Sequence, residues 1–159
     1  MDRLPRFSPS ISVFLSVFVI LSWSLPSFAG LGGDLNSVVT DQRHFQANLQ
    51  TTQMQSFTVH EIHPQNGEII REYVSPSGTV FAVTWHGAWM PDMQQLLGSY
   101  FEQYVKAAQA QASARPGRRP LQIVQPDFVF QQGGHMRSIT GRAYLPQTLP
   151  AGVHAEAIQ

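Results

Sequence analysis

Residues 58–74, TVHEIHPQNGEIIREYV, bring His60, Glu61, His63, Glu68, Arg71 and Glu72 into one short run. Groups of this kind can ligate a metal, shuttle protons or neutralise one another. The metal reading needs His-Glu-x-x-His on a helix, which puts both imidazoles on one face. Here the spacing is His-Glu-x-His, and Pro64 and Asn66-Gly67 follow at once, so the run reads as a strand and a turn. On a strand, His60 and His63 point to opposite faces. His86 is expected on the face of His60 but two strands away, about 10 Å, too far to share a metal ion. No metal site and no cofactor is therefore expected.

Acid–base chemistry is the second use of these groups. His60 with Glu72, or Glu61 with Arg71, would supply a hydrolase-type enzyme with a proton donor and acceptor. Simple cross-strand pairing explains the same residues without catalysis. A hairpin closed by Gln65-Asn66-Gly67 sets Glu61 opposite Arg71, His60 opposite Glu72 and Val59 opposite Tyr73. Each opposite-charge pair then contributes roughly 0.2–1 kcal/mol. These four residues are expected to be structural ion pairs, and no catalytic residue is assigned. SPSG at 75–78 is a turn rather than a nucleophile elbow, and no phosphate loop is present.

Binding is the third use. TWHGAWMP at 84–91 joins a strand to a helix, and His86 and Trp89 are expected at the rim of a groove between sheet and helix. Arg137 and Arg142 on a later hairpin, with the basic run Arg115, Arg118 and Arg119, offer a second contact surface.

The elements that must carry these residues are legible in outline. Asp34 can cap a helix over 35–48, with Leu35, Val38, Val39, Phe45 and Leu49 on one stripe. A three-stranded meander follows, its second turn built on Pro76-Ser77-Gly78. That loop sets Tyr73 opposite Phe81, Arg71 opposite Val83 and Ile69 opposite Trp85. Phe57, Val59, Ile69, Tyr73, Phe81, Val83 and Trp85 would then share a core face. Thr58, His60, Glu72, Thr84 and His86 would share a wetter one. From Pro91 the spacing of Met93, Leu96, Leu97, Tyr100, Phe101, Tyr104, Val105 and Ala108 predicts a helix over 91–110, with Gly98 inside it. A Pro/Gly/Arg linker at 113–120 leads to strands in LQIV and DFVFQQ. A Gly133-Gly134 turn and a returning strand follow, then an irregular tail. GLGGD at 30–34 reads as a flexible start. The fold class is α+β: an antiparallel sheet of about five strands packed on one long amphipathic helix, with an additional N-terminal helix. Whether the two hairpins share one sheet stays open.

The chain as a whole narrows the setting. Arg3 and Arg6, the apolar run Ile11–Leu25 and the small-x-small Ser27-Phe28-Ala29 read as a signal peptide over 1–29. The run is about 15 residues, against roughly 20 for a spanning helix. Residues 30–159 are then one domain, periplasmic or secreted, with no stable membrane insertion after cleavage. There is no cysteine, so packing alone must hold the domain. Residues 30–159 carry eight Lys/Arg and nine Asp/Glu, too balanced to steer nucleic acid.

The stretches TVHEIHPQNGEIIREYVSPSGTVFAVTWHG, PDMQQLLGSYFEQYV and QQGGHMRSITGRAYLPQTLPAGV together resemble the exported bacterial family called domain of unknown function 2844. The resemblance runs from Leu31 to Val153. It implies an exported bacterial protein and carries over no activity and no catalytic residue. The expected function is a non-catalytic module binding a small-molecule ligand or a partner protein, with the hydrolase using a His/Glu pair as the alternative.

Overall fold

The computed structural model describes residues 30–114 and 120–159. The signal-peptide reading of 1–29 and the basic residues Arg115, Arg118 and Arg119 lie outside these residues. The elements are α1 (Leu35–His44), β1 (Asn48–Gln53), β2 (Thr58–His63), β3 (Ile69–Val74), β4 (Val80–Gly87), α2 (Met93–Leu97), α3 (Phe101–Ala114), β5 (Leu121–Val124), β6 (Val129–His135) and β7 (Ser138–Tyr144). A 3-10 turn, Gly98–Tyr100, joins α2 to α3.

The fold is α+β, but the sheet has seven antiparallel strands rather than about five, in the order β1-β2-β3-β4-β7-β6-β5. The two hairpins form one sheet because β7 pairs with β4. The strand absent from the sequence reading is β1. NLQTTQ has no alternation of apolar and polar residues because it is an edge strand, mostly exposed on both sides. It also claims the end of the expected first helix. That helix stops at His44, Gln46 turns left-handed at φ 49°, and the chain reverses without the glycine that usually marks such a stop.

The long helix is interrupted as well. Asp92 is its N-cap, accepting bonds from the backbone N–H of Gln94 and Gln95. Gly98, at φ 52°, breaks the run, and α3 continues to Ala114. The 30–34 stretch is pinned rather than free. Leu31 is buried and donates its N–H to Leu96 O at 2.9 Å, while Gly32 and Gly33 exchange backbone bonds with Val80. The last hairpin does not turn at Gly133-Gly134. Both glycines stay in β6, paired with Thr140 and Ile139, and the turn is Met136-Arg137, with Arg137 at φ 63°.

Register decides the two faces of the sheet. Between β2 and β3 it is the expected one, Glu61 opposite Arg71 and His60 opposite Glu72. The β3–β4 turn also closes as expected, with Gly78 at φ 84° and Val74 opposite Val80. Then the register shifts: Tyr73 pairs with Ala82, and Phe81 is the extra residue of a bulge. Phe81 is fully buried against Phe57 and Tyr73, ring centroids 5.8 and 6.2 Å away, and its carbonyl accepts from Leu145 N. Beyond the bulge every β4 side chain changes face.

The expected core face is therefore split. Val83 and Trp85 join Ile62, Ile70, Phe130 and Ala143 under the helices, where Val38, Leu96 and Leu97 cover them. Phe57, Val59, Tyr73 and Phe81 stay on the other face, which Val153 and Ile158 of the 145–159 segment cover. Thr84 and His86 move to that second face, away from His60. Both faces being covered explains why β4 is buried at nearly every position.

Trp85 lies flat across Gly141, its cross-strand partner, and packs on Phe130 at 5.3 Å. A Cβ at position 141 would fall inside the indole. Gly141→Ala is expected to destabilise the fold by about 1–3 kcal/mol through overpacking, read from the urea midpoint. An unchanged midpoint would show that the indole is free to move aside.

Candidate functional site

The face of the sheet opposite the helices carries one continuous polar row. In register it runs Gln50, Glu61, Arg71, Thr84, Arg142, Gln131, Gln122, one residue from each strand from β1 to β5. The next row, Ile69, His86, Thr140 and Gly133, lies alongside it. The segment 145–159 covers the apolar end of this face and stops at the polar rows. What remains open is a groove of about 470 Å³, with Arg71, Thr84, His86, Gln131 and Arg142 in its lining and Ile158 and Gln159 forming one wall.

Both arginines are held by the fold. Arg71 Nε donates to Glu61 Oε2 at 2.5 Å, and Glu61 Oε1 also lies 2.7 Å from His63 Nε2, an ion-pair contact whose angles fall short of a hydrogen bond. Arg142 Nε donates to Gln131 Oε1 at 2.7 Å, and its Nη1 donates to the carbonyls of Ala155 (2.6 Å) and Ile158 (3.2 Å). Tyr73 Oη donates to Gln159 O at 2.5 Å and accepts from Gln159 N at 3.1 Å. Arg71 Nη1 also reaches Gln159 O at 3.5 Å, so both arginines fasten the 145–159 segment and line the groove.

Of the residues singled out for binding, His86 and Arg142 come together here, on the side of the sheet away from the helices rather than between sheet and helix. Trp89 is 65% exposed after β4 and is absent from the groove lining. Arg137 is exposed in the β6–β7 turn and is also absent from it. Thr84, Gln131 and Thr140 were not singled out, although their alternation along β4, β6 and β7 is the pattern of a face with a polar half. Among the described residues no three His, Cys, Asp or Glu side chains converge as metal ligands.

Glu61 and Arg71 form the expected ion pair. His60 and Glu72 do not, although they are register partners. His60 Nδ1 lies 3.0 Å from Thr51 Oγ1, and burial lowers its pKa, favouring the neutral ring. Glu72 faces Asp41 of α1, and both residues have no exposed surface. Neither oxygen of Glu72 meets a donor among the described residues, while Gln95 Nε2 donates to Asp41 Oδ1 at 2.5 Å. Two carboxyls in such a place stay together by keeping a proton between them. Burial first, and then the Asp41 carboxyl, hold Glu72 well above the usual carboxylate range. Burial also raises Asp41, opposed by its bonds to Glu72 and Gln95. Asp41 was missed, yet it lies three residues after Val38 and four before Phe45, on the apolar stripe of α1, a legible sign of an inward-facing acid.

The family model described as protein of unknown function (DUF2844) matches residues 27–158, and the chain belongs to that family. No curated protein and no solved structure matches it.

The carboxyl pair sets a pH dependence. A folded pKa raised above the unfolded value of about 4.5 gives stability that is whole below that pH and is lost as pH rises toward the folded value. Glu72→Gln keeps a donor toward Asp41 at every pH. Relative to the unaltered protein it is expected to gain stability steadily from pH 4 to pH 8, by on the order of 1–3 kcal/mol at the upper end. Urea unfolding across that range checks this, and a difference independent of pH would contradict the shared proton.

Proposed function

We propose that this DUF2844 protein is an exported, non-catalytic module that binds a small-molecule ligand in the groove beside the 145–159 segment. The observation that carries the reading is the groove itself: about 470 Å³, within the roughly 300–1,000 Å³ of ligand sites, with Arg71, His86, Gln131 and Arg142 converging on a partly apolar floor. Its arginines are held by bonds to the fold, so little ordering is required on binding. The hydrolase reading draws no support from the geometry. Glu72 has no exposed surface and burial holds it well above the usual carboxylate range, His60 is engaged with Thr51, and neither lines the groove. Export rests on the charged, apolar and small-residue pattern of residues 1–29. Among the described residues, no helix is long and apolar enough to cross a membrane.

Two measurements test this. Expressed in a bacterium, the chain is expected outside the cytoplasm with Gly30 as its first residue by N-terminal sequencing. A cytoplasmic chain that retains residues 1–29 would refute export. In a two-dimensional NMR screen of small fragments, hits are expected to shift the amides of Thr84, His86, Gln131 and Thr140. Gly133 opens into free space at the groove, where an added side chain meets nothing within 4 Å. Gly133→Leu is expected to abolish those shifts while changing stability by no more than about 0.5 kcal/mol. Hits that ignore the substitution, or a screen without groove shifts, would remove the groove as the site.

A further inference from the structure

We propose that the ligand of this groove is a small organic anion, its oxyanion head seated over Thr84 between Arg71 and Arg142 and its apolar body resting on Pro120 and Ile158. The inference rests on the groove being the binding site and goes further by naming the chemistry of what fills it.

The charge pattern points there. The groove lining includes two arginines and a histidine and no aspartate or glutamate, in a chain whose formal net charge is zero. The two arginines are not equivalent. Arg71 has a counter-ion in Glu61. Arg142 has none: it is partly buried, its hydrogen-bond partners among the described residues are an amide oxygen and two backbone carbonyls, and the Tyr144 ring lies 6.0 Å from its Cζ, all of them neutral. A partly desolvated guanidinium without a carboxylate is an open demand for an anion. No hydrogen bond among the described residues uses Nη2 of either arginine.

Spacing points the same way. Arg71, Thr84 and Arg142 sit opposite one another on three adjacent strands, so the arginine backbones are about 10 Å apart with one short side chain between them. The two arginines, bonded at their outer sides to Glu61 and Gln131, flank Thr84, and one carboxylate or phosphate seated over that residue can take charge-assisted bonds from both. Thr84 and Gln131 add a hydroxyl and an amide beside that position. Most of the remaining lining surface is apolar, with Pro120 and Ile158 at its sides beside the polar Gln122 and Thr140, which fits an anion carrying a hydrocarbon or aromatic body rather than a bare inorganic ion.

The test compares ligands that differ only in the head. The purified exported protein is titrated with benzoate, phenyl phosphate and benzyl alcohol, following the groove amides by NMR at low and at 0.3 M salt. At least one anion is expected to bind roughly tenfold or more tightly than the alcohol. That preference should shrink in salt, and Arg142→Gln should remove it. Because Arg142 also fastens Ala155 and Ile158, Gly133→Leu serves as the second variant and should weaken all three ligands. Which anion binds more tightly identifies the head as carboxylate or phosphate. Equal binding of alcohol and anions in the groove would overturn the anion inference and leave the binding site standing. Failure of all three to move any groove amide would overturn both.

Discussion

One extra residue in β4 governs this protein. Phe81 bulges from the β3–β4 ladder because its ring completes a cluster with Phe57 and Tyr73, and because its carbonyl is taken by Leu145. The side-chain period of a strand is two, so a single inserted residue exchanges the faces of everything beyond it. Trp85 and Val83 turn under the helices as a result, and Thr84 and His86 turn outward. A regular ladder would have put Trp85 on the groove side and Thr84 beneath α1.

Each face then poses a problem that the rest of the chain solves. On the helix side, Glu72 stays among apolar residues, and α1 brings a second carboxyl to share its proton. The pair ties α1 to the sheet without charge separation, at the cost of a stability that declines as the solution becomes alkaline. On the other side, the apolar half of the face needs a cover. The 145–159 segment supplies Val153 and Ile158, and Arg71 and Arg142 hold it by bonds to its backbone oxygens. The groove is what this cover leaves open. Binding surface and structural clamp therefore use the same two arginines.

Much of this was visible in order of residues. Gly67 and Gly78 marked turns that only a positive φ can close, and the β2–β3 register followed from setting Glu61 against Arg71. The helical stretch expected over 91–110 announced itself by apolar spacing and Asp92 by its capping chemistry, although Gly98 divides it into Met93–Leu97 and Phe101–Ala114. Less was visible where a rule depends on a distant partner. Edge strand β1 has no apolar rhythm because little beyond Leu49 packs into the core. Gly133-Gly134 resembles a turn but serves as flat strand, with the reversal left to Met136-Arg137. Glu72 looked like a partner for His60 because register brought them side by side, but their side chains find Asp41 and Thr51 instead.

Local chemistry therefore determined the β2–β3 and β3–β4 turns, the caps, the periods of the inner strands, the absence of disulfides and the family. These depend on φ preferences, spacing and residue identity within a few positions. Tertiary structure alone decided the bulge, the face on which each β4 residue lies, the burial of Asp41 beside Glu72, and the position of Arg142 beside a cavity without a counter-ion. Each of those is fixed by packing between segments far apart in the chain, where the gain from burying Phe81 and Trp85 on opposite sides outweighs the regular ladder that β3 and β4 would form by themselves.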